Sequence, residues 1–174
     1  MKNSILKGML AAVIVLVALT GRPLVAAASR PEKISFAFAS VVYQPEDLGT
    51  CDPSTGLPYA GDPACVASIG GTYTLTGDLV GTEFETDSMV FWPDGAISFT
   101  GYGMYTGTLK GRGTGSFVAL DYDAYVTPSG VQTGKLRIVD GTGTGDLVGI
   151  SGSGSYAGPF PIPAKMTVKF PRNH

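Results

Sequence analysis

Glycine punctuates the chain from Gly107 to Gly158, standing at Gly107, Gly111, Gly113, Gly115, Gly134, Gly141, Gly143, Gly145, Gly149, Gly152 and Gly154 between short alternating runs. Strands tolerate that density where they bend, bulge or pass close to one another, because no Cβ obstructs the backbone. The pattern excludes long helices and points to a small, strongly curved antiparallel sheet. No window of eleven or more residues beyond Ser29 carries a helical stripe.

The first 28 residues have the layout of an export signal, with Lys2 and Lys7, an apolar run from Met9 to Leu19, and then Ala26, Ala27 and Ala28. The apolar run is shorter than the roughly 20 residues a membrane-spanning helix needs, so cleavage after Ala28 is favoured over an uncleaved anchor. Residues 29–174 then form one domain, secreted or periplasmic, with no membrane attachment after the signal is removed. That mature chain has 9 basic and 14 acidic residues and no basic stripe. Such a surface repels phosphate backbones, which argues against nucleic acid.

Cys51 and Cys65 lie in a loop, drawn from Gln44 to Gly70, that is rich in Pro, Gly and Asp. In an exported chain an even cysteine count favours a disulfide. A two-cysteine metal site lacks partner ligands, since His174 is the sole histidine, and no metal or cofactor is expected.

The remaining alternation reads as about eight strands. Ile34, Phe36 and Phe38 share one face of the first; Thr72 to Leu79 and Thr82 to Trp92 follow, and Pro93, Asp94 and Gly95 turn the chain into the strand from Ala96. The hairpin of Gly115 to Val126 with Val131 to Val139, looped by Pro128, Ser129 and Gly130, sets Asp123 opposite Lys135, Asp121 opposite Arg137, Tyr122 opposite Leu136 and Leu120 opposite Ile138. Charge meets opposite charge in that register and apolar meets apolar. Gly141 to Gly154 reads as a bent strand pair. In the last strand, Met166, Val168 and Phe170 face in. The fold class is all-β, a single closed or nearly closed antiparallel barrel.

Two segments carry a resemblance. Gly107-Thr-Leu-Lys-Gly-Arg-Gly-Thr-Gly-Ser-Phe-Val and Gly141-Thr-Gly-Thr-Gly-Asp-Leu-Val-Gly-Ile-Ser-Gly-Ser-Gly-Ser-Tyr156, with Thr76-Gly-Asp-Leu-Val-Gly81 upstream, resemble a bacterial domain-of-unknown-function family that shares the allene oxide cyclase-like, dirigent-like barrel. The similarity runs from about Gly70 to Phe170. It implies an eight-stranded barrel related in shape to plant proteins that handle small apolar substrates inside the barrel and often form trimers. A homo-oligomer is therefore an open expectation. The resemblance implies no agreed function for this branch, and no plant active-site residue is carried over.

Chemistry is sparse in the sequence. With one histidine, a Ser-His-Asp or Cys-His mechanism is excluded. Gly152 to Ala157 fits a dinucleotide-binding pattern, but Gly158, Pro159, Phe160 and Pro161 prevent the helix it needs. The single unit of Asp140 and Asp146 around three glycines departs from calcium-binding repeats in its spacing. Glu83, Glu85 and Asp87 share one face of a strand; they read as a solvated outer face, with a hard-cation site as the rival. Phe36, Phe38, Phe84, Trp92, Val118, Leu120, Tyr122, Leu136, Met166 and Phe170 are expected to line the interior. Tyr73, Tyr102 and Tyr105 are half-buried strand residues or hydroxyl handles at a rim.

Three readings follow. A small apolar or amphipathic ligand binds inside without chemistry; or a cyclase-like or isomerase-like enzyme uses an inward-facing acid; or the cysteine loop makes this an extracellular interaction module. The sequence identifies no catalytic residue, and the outward register assigned to Glu83, Glu85, Asp121 and Asp123 favours the first reading.

Overall fold

The computed structural model describes residues 30–171. Eight antiparallel strands close in chain order: β1 (Glu32–Asp47), β2 (Cys65–Gly77), β3 (Leu79–Phe91), β4 (Ile97–Leu109), β5 (Gly113–Val126), β6 (Gln132–Ile138), β7 (Ser151–Gly158) and β8 (Ile162–Lys169). β1 seals the barrel by pairing with β8, from Glu32 against Val168 to Phe38 against Ile162. No described helix is long and apolar enough to cross a membrane. The export signal read at residues 1–28 lies outside the described residues.

Closure forces one face of every strand into a shared interior. Phe36, Phe38, Leu136, Met166 and Phe170 are buried there. One end is plugged by Leu79, Leu109, Leu147, Ile150 and Val168, all at most 1% exposed. Leu147 belongs to a single 3₁₀ turn, Gly145–Leu147, so the segment from Gly141 is a turn leading into β7 and not the expected strand pair. Asp146 holds this turn against β5 by accepting the Thr114 N–H at 3.0 Å. The glycine-serine tract that mimics a dinucleotide site is strand β7 itself.

Four residues expected inside point outward. Phe84 is 44% exposed and Trp92 40%, while Leu120 and Tyr122 are half-buried on the outer face. On β3 the phase is anchored by Leu79 and Met89, both buried, so the odd-numbered positions face in. Both faces of this strand carry large apolar residues, and the alternation alone had favoured the wrong one. Val118 is likewise only half-buried.

On β5 the cause is a β-bulge. Near the hairpin turn the observed pairing of Tyr125 with Thr133 keeps the expected register. Between Tyr122 and Tyr125 it shifts by one, so Asp121 pairs with Leu136 and Tyr122 with Lys135. Asp123 absorbs the extra residue at φ 52°. It stays outside and accepts from Lys135 Nζ at 2.7 Å, whereas Asp121 turns inward.

β1 is longer than expected and β2 starts at Cys65, which leaves residues 48–64 as the loop. Cys51 and Cys65 form a disulfide that packs with Ala67, Ile69 and Phe91. With the half-cystines 14 positions apart in sequence, the cross-link contributes about 3 kcal/mol in the chain-entropy treatment. The Cys51→Ser, Cys65→Ser double variant is expected to lose stability of that order in urea titrations. Its far-ultraviolet circular dichroism should remain that of the native barrel, because no barrel pairing passes through residues 48–64.

Candidate functional site

Glu83, Glu85 and Asp87 rise at period two along the inner face of β3, and Asp121 projects from β5. All four are at most 5% exposed, and they are the buried charged-type residues among those described. Their expected place was the solvated outside. Burying carboxyl groups is tolerable only if they are neutral or hydrogen-bonded.

The strand between them creates the space. β4 sets Gly101 against Asp87 on one side and Asp121 on the other, and Gly103 against Glu85. A Cβ at Gly101 would collide with Asp87 Oδ1, and one at Gly103 with the Glu83 carboxyl. Two strands apart, Asp87 and Asp121 therefore face each other across a glycine. Gly134 on β6 makes the same allowance for the Tyr156 hydroxyl. Glycines directly opposite acids in the neighbouring strand were the signal in the sequence that these acids point inward.

Tyrosines surround the group. Tyr156 donates its hydroxyl to Asp121, at 2.9 Å to Oδ2 and 3.1 Å to Oδ1. Tyr73 reaches Glu85, and Tyr105 lies against Glu83. Glu85 stands close to both Asp87 and Asp121, and carboxyl groups crowded in this way resist ionising together. Glu83 Oε2, Asp87 Oδ1 and the Tyr105 hydroxyl have no well-formed hydrogen bond. Tyr73 and Tyr105 are thus buried, and Tyr102 is exposed on the outer face.

Desolvation dominates the acidities. Burial, reinforced by Asp121 and Asp87, raises Glu83 to about 8, and burial with the Asp121 charge raises Asp87 to about 7. Burial raises Asp121 to about 7, opposed by its Tyr156 hydrogen bond. Glu85 is pushed well above the carboxylate range by burial and then by Glu83, Asp87 and Asp121. Tyr73, Tyr105 and Tyr156 are driven upward by burial and the neighbouring acids, so they stay neutral donors. The described lysines and arginines are all on the surface, and no counter-cation enters the barrel from them.

A pocket at the end opposite the apolar plug reaches this cluster. Phe38, Tyr73, Glu85, Phe99, Asp121, Gln132, Tyr156 and Ile162 line it. It holds about 230 Å³ between atoms, much of it open to solvent, and its enclosed part has room for roughly one water-sized group. Phe38 packs edge-on against Tyr73 at 5.5 Å and Tyr156 at 5.8 Å. Of the residues expected to line a ligand space, Phe38 borders this pocket. Phe36, Leu136, Met166 and Phe170 belong to the packed core.

The fold and site define a small closed barrel with an acidic, tyrosine-ringed mouth. A family described as a protein of unknown function, DUF3224, matches residues 54–158, and the chain belongs to that family. The crystal structure of a DUF3224 protein of unknown function from Shewanella oneidensis MR-1 shares the fold with a TM-score of 0.60, covering 83% of this chain and 99% of that one at 19% identity. No curated protein matches the chain.

The folded chain retains protons that the unfolded chain releases from about pH 4 upward, until the cluster ionises near pH 7 to 8. Stability is therefore expected to fall as pH rises through that window. Urea titrations at pH 4.5 and pH 8 should show it, and Glu83→Gln should flatten the slope by stabilising the chain at pH 8. Gly103→Ala, which drives a methyl group into Glu83, should cost about 1–3 kcal/mol in the same titrations at either pH.

Proposed function

We propose that the protein binds a small amphipathic molecule at the barrel mouth, with its polar end on Glu85 and Asp121 and its apolar part along Phe38, Phe99 and Ile162. The observation that carries this reading is the convergence of two buried acids and two tyrosine hydroxyls on one open pocket whose other walls are aromatic and aliphatic. Ligand sites commonly combine an apolar lining with a few placed polar groups. The packed core below supports the mouth as the place for a ligand. Export is part of this reading, supported by the Cys51–Cys65 disulfide, since such bonds persist in oxidising compartments.

Titration with a fluorescent amphipathic probe should give saturable binding, weakened about tenfold or more by Ile162→Asp, which puts a charge on the apolar wall. Non-saturable binding, or saturable binding indifferent to that change, would overturn the proposal.

A second reading is proton transfer on the bound molecule, in the manner of an isomerase or cyclase. It is favoured by the closeness of Glu85 to Asp87 and Asp121, carboxyl groups whose acidities burial pushes toward neutral pH, so that an acid and a base can stand side by side. Deuterium uptake from solvent at the α-carbon of a small enone, followed by NMR, would separate it from simple binding.

A further inference from the structure

The interior holds four acids, and every described lysine and arginine is outside. Two deeply buried carboxyl oxygens, Glu83 Oε2 and Asp87 Oδ1, lack hydrogen-bond partners although their residues are 1% and 3% exposed. Both residues share the inner face of β3 with Glu85, which lines the pocket, so the acidic cluster that the pocket reaches has acceptors to spare and no described lysine or arginine beside it. We propose that the mouth selects a primary organic ammonium ion, whose head group enters between Glu85 and Asp121 while its hydrocarbon tail lies against Phe38, Phe99 and Ile162. This rests on the ligand-binding reading above and names its chemical class.

Size, donors and walls each argue for that class. An ammonium group is about the size of water and so fits the enclosed part of the pocket. It brings three donors and no acceptor, complementary to a site built of carboxyl oxygens and the Gln132 side chain. Tyr73, Tyr156 and Phe38 present aromatic surface, which favours a cation over a neutral head group. Among the described residues, no three His, Cys, Asp or Glu side chains converge as a metal site requires, so an inorganic ion is the poorer occupant. An anionic ligand would meet the Glu85 and Asp121 carboxyl groups that line the pocket.

Charge balance then couples binding to protons. The titratable groups lining the pocket are Glu85 from β3, Asp121 from β5, Tyr73 from β2 and Tyr156 from β7, and Glu83 and Asp87 on β3 and Tyr105 on β4 act on them from outside its lining. β1, β4, β6 and β8 contribute Phe38, Phe99, Gln132 and Ile162 there, and Tyr43 stands outside against Tyr73. The tyrosines stay protonated, so the acids respond. An incoming ammonium favours their ionised forms, and a proton leaves the cluster for solvent as the ammonium enters. No bond to carbon or nitrogen is made or broken.

Isothermal calorimetry with benzylamine and with neutral benzyl alcohol tests this on the full chain lacking residues 1–28 and on the chain as it stands. Benzylamine is expected to bind saturably, about tenfold or more tighter near pH 8 than near pH 5.5, with heats that vary with the ionisation enthalpy of the buffer, as proton release requires. Asp121→Asn and Glu85→Gln, each close in shape to the protonated acid it replaces, should weaken benzylamine by about tenfold and leave benzyl alcohol nearly unchanged. Equal affinity for the amine and the alcohol, or amine binding that ignores pH and both substitutions, would overturn the ammonium assignment while leaving the ligand-binding reading in place. Competition by calcium at concentrations matching the amine would also overturn it. Failure of both compounds and of the amphipathic probe would remove the two readings together.

Discussion

Everything inside this protein follows from the pairing of β1 with β8. Because Glu32 to Phe38 zip against Ile162 to Val168, the sheet has no free edge along that seam and each strand has an inside that cannot be exchanged for its outside. A side chain on the inner face must then be accommodated whatever its chemistry. The plugged end meets that condition with aliphatic residues. The other end meets it with four carboxylic acids.

Those acids are held by a combination that no single residue explains. Gly101 and Gly103 clear the volume, Tyr156 supplies a hydroxyl to Asp121, and the upward shift of all four acidities lowers the charge that desolvation would penalise. The arrangement costs stability once pH rises, since the folded state then holds acids that water would ionise. Buried acids held at such a cost, at the open end of the barrel, are the feature on which the proposed ligand site rests.

How much of this was legible in the sequence varies with what decides each feature. Barrel class, strand count, the family resemblance, the Pro93–Gly95 turn, the inward faces of β1 and β8 and the Cys51–Cys65 bond are local or nearly so, and each was readable. The cluster was not, because β3 carries bulky apolar residues on both faces, with Phe84, Val90 and Trp92 opposing Leu79, Met89 and Phe91. Hydrophobic count favoured the face with Phe84, and the acids went outside with it. On β5 the expected register holds at the turn and fails one bulge later, since one extra residue at Asp123 reverses the facing of everything toward Gly113.

The amino-acid order alone therefore determined that the chain would roll into a glycine-rich antiparallel barrel with a cysteine-bearing loop between its first two strands, because alternation, turn residues and cysteine parity act over short distances. Which face of β3 and β5 became the interior was decided only by tertiary structure. Closure joins strands far apart in sequence, and it placed Asp121 across Gly101 from Asp87, a proximity that no local pattern encodes.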